Sequence, residues 1–202
     1  MIKNVIFDLG RVIYSYQPRE DMITLGYDDA FADIFMERVY DAPMWQELDR
    51  GTLTISEAIE QLSTQYPEMA DDFFRILNQD EWPDRVITIL PDSLEFFYKV
   101  KERGFGIYIL SNFQNDLYDH CRARDPFFED ADGVFISARE GLIKPDPAIY
   151  HAILNRYNLK PKECVFIDDL PHNIAAAKAV GIHGIQFTTL GDVKKQFEEL
   201  VK

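Results

Sequence analysis

The sequence predicts an α/β fold: a doubly wound parallel sheet with an inserted helical cap subdomain. Three observations predict it. Short apolar runs recur, at Val5-Ile6-Phe7, Ile107-Tyr108-Ile109-Leu110, Val134-Phe135-Ile136, Val165-Phe166-Ile167 and Gly184-Ile185-Gln186-Phe187, and they read as strands buried on both faces. Helical stretches lie between them, an alternation that calls for a parallel sheet covered on both sides. One long stretch, residues 14–85, carries helical signals and no strand signal, so it reads as an insertion after the first strand.

The elements follow in order. Val5-Ile6-Phe7 runs into Asp8, and Leu9-Gly10-Arg11 turns the chain. In the insertion, Phe31, Ile34, Phe35 and Val39 fall on one helical face. Thr54-Ile55-Ser56-Glu57 is a capping box ahead of Ile59 and Leu62, and Phe73, Ile76 and Leu77 make a third face. Past the insertion, Pro91 opens a helix with Leu94, Phe97 and Val100 inward, closed by Gly104 after Lys101 and Arg103. Asp146-Pro147 caps a helix leading into Ile149, Ile153 and Leu154. The alanine-rich run Ile174 to Val180 stops at Gly181. Residues 1–13 and 86–202 are thus assigned to the core and 14–85 to the cap, which sits over the Asp8 end of the sheet as a lid.

Bulk properties narrow the function. The 202 residues are 47% hydrophobic and 28% charged, enough for a sizeable core in one domain with a modest insert. The net charge of −14 repels phosphate backbones and anionic lipid, so nucleic acid and membrane surfaces are poor partners. No segment is long enough to span a bilayer. Cys121 and Cys164 imply no disulfide framework. The expectation is a cytoplasmic monomer or small homo-oligomer whose partner is a small molecule.

Four clusters fall at the predicted C-terminal strand ends or just beyond: Asp8, Ser111-Asn112, Lys144-Pro145 and Asp168-Asp169. In doubly wound sheets these ends converge on one crevice. A carboxylate at the end of a buried strand is costly unless paired, hydrogen-bonded or metal-bound. Three of them together raise one another's pKa, and a divalent cation relieves that. Oxygen donors without thiolate or clustered imidazole select Mg²⁺ over zinc; His120, His151, His172 and His183 show no metal spacing. Lys144 adds a compact positive charge for an anion and Ser111 a hydroxyl. A carboxylate nucleophile, Mg²⁺, a lysine and a hydroxyl are the parts of phosphoryl transfer.

Ile6-Phe7-Asp8-Leu9-Gly10, Leu110-Ser111-Asn112, Lys144-Pro145 and Phe166-Ile167-Asp168-Asp169 resemble, in order, the four motifs of the haloacid dehalogenase (HAD) superfamily. Phe135-Ile136-Ser137 ahead of Gly141 to Pro147, and Asn173, Ala176-Ala177 and Gly181-Ile182 after the aspartate pair, resemble its subfamily I. The position of the insertion resembles a C1 cap. The resemblance covers about residues 1–13 and 86–190 and implies a HAD-like Rossmannoid core. It implies Asp8 as nucleophile and Mg²⁺ ligand, Ser111 and Lys144 as phosphoryl-binding groups, and Lys144 as catalytic. Asp169 is implied as a direct metal ligand, with Asp168 acting through water and Gly10 through its main-chain carbonyl. Asn112 is implied at the phosphate site, orienting the loop or the nucleophile.

Gly10 departs from the family pattern. Most phosphatases of this family carry an aspartate there, which protonates the leaving oxygen. General acid–base catalysis is worth roughly 10²–10⁴-fold, about 3–5 kcal/mol. Three readings follow: a substrate with an easy leaving group, such as an anomeric sugar phosphate; a substitute acid from the cap, Glu47 or Asp49; or weak activity. Asp-Leu-Gly followed shortly by Val-Ile resembles the α-glucose-1-phosphate phosphatase branch. Trp45, Glu47, Asp49 and Arg50 precede Gly51 in a loop placed to select substrate. The expected function is a Mg²⁺-dependent phosphatase for a small phosphorylated metabolite, sugar phosphates favoured, acting through an aspartyl-phosphate on Asp8. The rivals are a 2-haloacid dehalogenase, which Gly10 and the Asp168-Asp169 pair oppose, and a non-catalytic binding protein that keeps the fold.

Overall fold

In the computed structural model, which describes residues 1–77 and 81–202, each apolar run forms a strand. These are β1 (Asn4–Phe7), β4 (Gly106–Ser111), β5 (Gly133–Ile136), β6 (Cys164–Asp168) and β7 (His183–Gln186), with β2 (Tyr14–Tyr16) and β3 (Ile87–Ile89) between the first two. The five-stranded sheet is parallel, in the order β5-β4-β1-β6-β7. Side chains alternate across it as strand geometry requires. Val5 and Phe7 join Ile107, Ile109, Val165 and Ile167 in one apolar layer, while Ile6 joins Leu110, Phe135 and Phe166 in the other.

Helices cover both layers. Pro91–Glu102 and Leu190–Val201 bring Phe97, Val100, Val193 and Phe197 to the first. Pro147–Arg156 and Pro171–Ala179 bring Ile149, Ile153, Ile174 and Ala177 to the second. Asp146 caps its helix by accepting from Ala148 N–H at 2.8 Å, as its sequence signature predicts.

β1 is central, and its register sets the site. Phe7 pairs with Ile109 on one side and Ile167 on the other. Asp8 and Asp168, each one residue further on, therefore emerge side by side.

The insertion is helical, and its Thr54–Glu57 capping box is complete. Its base differs from the sequence expectation, which placed no strand in residues 14–85 and none directly after them. Tyr14–Tyr16 pairs antiparallel with Ile87–Ile89, Tyr14 opposite Ile89. Three residues are too few to show a period, and the partner lies about seventy residues away. A second difference follows helix Asp29–Phe35, whose buried residues are Ala32 and Phe35, while Ile34 is exposed. The chain continues as a π-helical turn, Met36–Tyr40, which buries Val39. Such a turn re-aims the residues on it and is frequent at functional sites.

Candidate active site

Asp8 is buried and follows the last residue of β1. Its backbone N–H donates to the Ile167 carbonyl at 2.9 Å. Its Oδ1 accepts from Ser111 Oγ at 2.7 Å and lies 2.8 Å from Lys144 Nζ. Lys144 Nζ also lies 2.7 Å from Asp168 Oδ2 and donates to the Leu110 carbonyl at 3.3 Å. The four separate sequence clusters thus meet around one ammonium group.

Burial pushes the Asp8 carboxyl well above the usual carboxylate range, and Asp168 adds to this; Lys144 and Ser111 oppose it. Burial alone would lower Lys144, but Asp8 and Asp168 hold it above its ordinary value, so the ammonium stays charged. Asp169 is raised by burial and by Asp168, with Arg11 opposing.

The two adjacent aspartates have different surroundings. Asp168 is fully buried and its oxygens are engaged by the chain: Oδ1 accepts from Leu170 N–H at 2.8 Å, and both oxygens accept from Asn173 Nδ2 at 3.0 Å. Asp169 is partly open, with Arg11 Nη1 at 3.9 Å. Asp8, Asp168 and Asp169 each bring an oxygen within 4.8 Å of the others. Three carboxylates around one buried ammonium leave negative charge over, and all their donors are hard oxygens. That chemistry fits Mg²⁺. The openness of Asp169 suits a direct ligand, and the engagement of Asp168 suits a supporting role.

Gly10 has no positive φ, and a Cβ there would meet nothing within 4 Å. Neither backbone nor space demands glycine, so the missing side chain is a chemical feature of the site.

Asn112 lines the chamber, and its side-chain amide is bonded to the Lys144 backbone. Its Nδ2 donates to the Lys144 carbonyl at 3.0 Å and its Oδ1 accepts from the Lys144 N–H at 2.8 Å. Both polar ends of the amide hold the lysine loop.

The cap candidates separate. Asp49 lines the same chamber of about 300 Å³ as Asp8, Gly10, Ser111, Lys144 and Asp169. Glu47 and Arg50 do not line it. Glu47 is exposed and accepts from Thr52 Oγ1 at 2.5 Å, while Arg50 Nη1 donates to the Gly141 carbonyl at 3.4 Å. The turn of helix Pro43–Arg50 aims these neighbours away from the crevice.

Asp49 is placed by a contact the sequence did not reveal. Ser137 Oγ donates to the Asp49 carbonyl at 2.5 Å and accepts from Phe113 N–H at 2.9 Å. Gly51 caps the helix with φ +75°, close against the Ala138 carbonyl. Burial raises the Asp49 carboxyl to about 7, with Lys144 opposing and Asp8 adding. The sequence also gave no signal for Tyr16 and Tyr40 at this site; both line the chamber, beside Trp45.

A family model described as haloacid dehalogenase-like hydrolase matches residues 2–181. The chain belongs to that family. Relatives of this hydrolase include the sesquiterpene phosphatase astK of Aspergillus oryzae, 26% identical over 189 residues, covering 92% of this chain and 90% of the relative. The D-ribitol-5-phosphate phosphatase of Bacteroides thetaiotaomicron is 25% identical over 199 residues, 92% of each chain. Among solved structures, a HAD-family enzyme from Bacteroides thetaiotaomicron, in complex with magnesium and inorganic phosphate, superposes with a TM-score of 0.73 at 22% identity. The match covers 92% of this chain and 94% of that one, so the hydrolase shares its fold.

Proposed function

We propose that this hydrolase is a Mg²⁺-dependent phosphatase acting on a small phosphorylated metabolite, with Asp8 as nucleophile. The observation that carries the reading is the convergence of Ser111 Oγ and Lys144 Nζ, at 2.7 and 2.8 Å, on one oxygen of a buried aspartate. Two relatives are named as phosphatases, a sesquiterpene phosphatase and a D-ribitol-5-phosphate phosphatase. Asp8, Asp169 and the Gly10 carbonyl would hold Mg²⁺, which when bound supplies positive charge beside the phosphoryl oxygens.

An Asp8 carboxylate oxygen forms a bond to phosphorus as the ester P–O bond breaks. Lys144 and Ser111 hold phosphoryl oxygens. The departing alkoxide takes a proton from Asp49, the cap acid in the position to serve where Gly10 offers none. A carboxyl raised to about 7 carries that proton near neutral pH, as general acid catalysis requires. Water then attacks the phosphorus of the aspartyl-phosphate, Asp49 accepts its proton, and phosphate leaves with Asp8 regenerated.

Hydrolysis of p-nitrophenyl phosphate, with Mg²⁺ and after chelation, by the wild-type protein and by Asp8→Asn tests the reading. Turnover is expected only for wild type with the metal. Turnover that survives chelation or Asp8→Asn overturns it, and halide release from a 2-haloacid in its place establishes the dehalogenase.

A further inference from the structure

One buried polar side chain of the chamber takes no part in the phosphoryl transfer. Gln114 lines the chamber with Asp8, Asp49 and Lys144 and is 4% exposed. Among the described residues its Oε1 has no hydrogen-bond partner. A buried amide oxygen without a donor is costly, and native proteins keep few of them.

The backbone around Gln114 is fixed on both sides. Phe113 donates its N–H to Ser137 Oγ at 2.9 Å and stacks its ring on Tyr14, centroids 6.5 Å apart. The Gln114 carbonyl accepts from Tyr118 N–H at 2.9 Å, in the first turn of helix Asn115–Arg124. Gln114 precedes that helix, yet its side chain makes no capping bond. A polar group without a capping role, held on a rigid loop, is built as a recognition group is.

The partner that Oε1 lacks is a donor. Phosphoryl oxygens of a bound ester only accept. The cations lining the chamber, Arg11 and Lys144, face its carboxylates. Asn173 Oδ1 is also without a partner, but its Nδ2 donates to Asp168, which ties that amide to the aspartate cluster. On the alcohol half of the substrate, a second phosphate or a carboxylate would bring further acceptors. An ammonium group would pair with Asp41 or Asp49 before a neutral amide. A hydroxyl is the uncharged donor that fits. Asp41, Asp49 and Tyr16 line the same chamber and offer oxygens to further hydroxyls.

We infer that Gln114 is a specificity-determining residue: Oε1 accepts a hydrogen bond from a hydroxyl on the alcohol half of the substrate, which is a phosphate ester of a polyhydric alcohol. The inference rests on the phosphatase reading.

The test uses two chain-matched pairs with Mg²⁺, glycerol 1-phosphate against propyl phosphate and sorbitol 6-phosphate against hexyl phosphate, with p-nitrophenyl phosphate as control. The wild-type protein is expected to prefer the hydroxylated member of at least one pair by about tenfold or more in kcat/KM, the scale of one hydrogen bond. Gln114→Met keeps the length of the side chain and removes the acceptor. It is expected to shrink that preference about tenfold, mainly through KM. Comparing the preference of variant and wild type cancels any difference in leaving-group ability. The unfolding midpoint of free Gln114→Met is expected to equal or exceed that of wild type, because the unpaired oxygen is gone. No preference in either pair by the wild-type protein overturns the inference, whatever the variant does, and leaves the phosphatase reading standing. Equal loss on both members of each pair assigns Gln114 to the phosphoryl group and overturns it. A lowered midpoint assigns the side chain to the fold and overturns it too. Turnover of p-nitrophenyl phosphate with every alkyl ester inert also overturns it while the phosphatase reading stands. Failure to hydrolyse any of these esters removes the phosphatase reading, and the inference falls with it.

Discussion

Gly51 and Gly141 offer a matched pair of perturbations. Gly51 ends helix Pro43–Arg50 at φ +75°, and Gly141 follows helix Ser137–Glu140 at φ +69°. Both conformations are left-handed, which costs an alanine roughly 1–2 kcal/mol. They differ in space. A Cβ on Gly141 meets nothing within 4 Å, whereas one on Gly51 would lie 2.2 Å from the Ala138 carbonyl oxygen and 2.9 Å from its carbon. That neighbour is backbone, in a helix whose Ser137 bonds both Asp49 and Phe113, so it yields poorly. Overpacking of this kind adds about 1–3 kcal/mol. Gly141→Ala is therefore expected to cost roughly 1–2 kcal/mol and Gly51→Ala about 2–5 kcal/mol, read from denaturant unfolding midpoints at constant slope. Gly51→Ala also displaces Asp49, two residues back. Its kcat/KM on an alkyl phosphate should fall on the order of tenfold or more, since a 1 Å misplacement costs up to about 10²-fold. Equal destabilisation by the two variants, or unchanged kcat/KM in Gly51→Ala, refutes the clamp between cap and core.

Three further outcomes follow from the site. Asp49 has its folded carboxyl raised to about 7 from 3.8, so the native state binds the extra proton and loses stability as pH climbs from about 4 to 7. Asp49→Asn should match wild type in stability near pH 4 and exceed it by up to about 4 kcal/mol at pH 8, measured by unfolding without metal; a gain independent of pH contradicts this. Gly10→Asp, with open space for its Cβ, should speed hydrolysis of alkyl phosphates more than aryl phosphates, and an equal effect on all leaving groups argues against a missing acid. Asn112→Ala removes both bonds to the Lys144 backbone and should cost about 1–3 kcal/mol in unfolding free energy while lowering kcat/KM. Unchanged stability shows that the lysine loop stands without it.

The core was legible because its strands are buried on both faces and therefore continuous in apolarity, as in Val165-Phe166-Ile167. The site was legible for the same reason: polar residues that abruptly end such runs, Asp8, Ser111 and Asp168, have to emerge at one edge of a parallel sheet. Lys144 lies beyond a short helix rather than at a strand end, and it came from motif order. Other features depend on contacts far apart in sequence. The pairing of Tyr14–Tyr16 with Ile87–Ile89 has no local signal. Among Glu47, Asp49 and Arg50, only the orientation of the helix end decides which carboxylate faces Asp8. Asn112 sits beside Ser111 in sequence, yet its amide turns to the Lys144 backbone. The Ser137 contact that fixes Asp49 joins residues 88 apart.

The central claim is covalent chemistry at Asp8. Rapid acid quench during turnover of a phosphate ester with Mg²⁺, followed by peptide mass spectrometry, tests it directly. The expected result is a phosphoryl adduct on Asp8 in the wild-type protein and none in Asp8→Asn. Steady turnover with Asp8 unmodified throughout, or an adduct on any other residue, contradicts it.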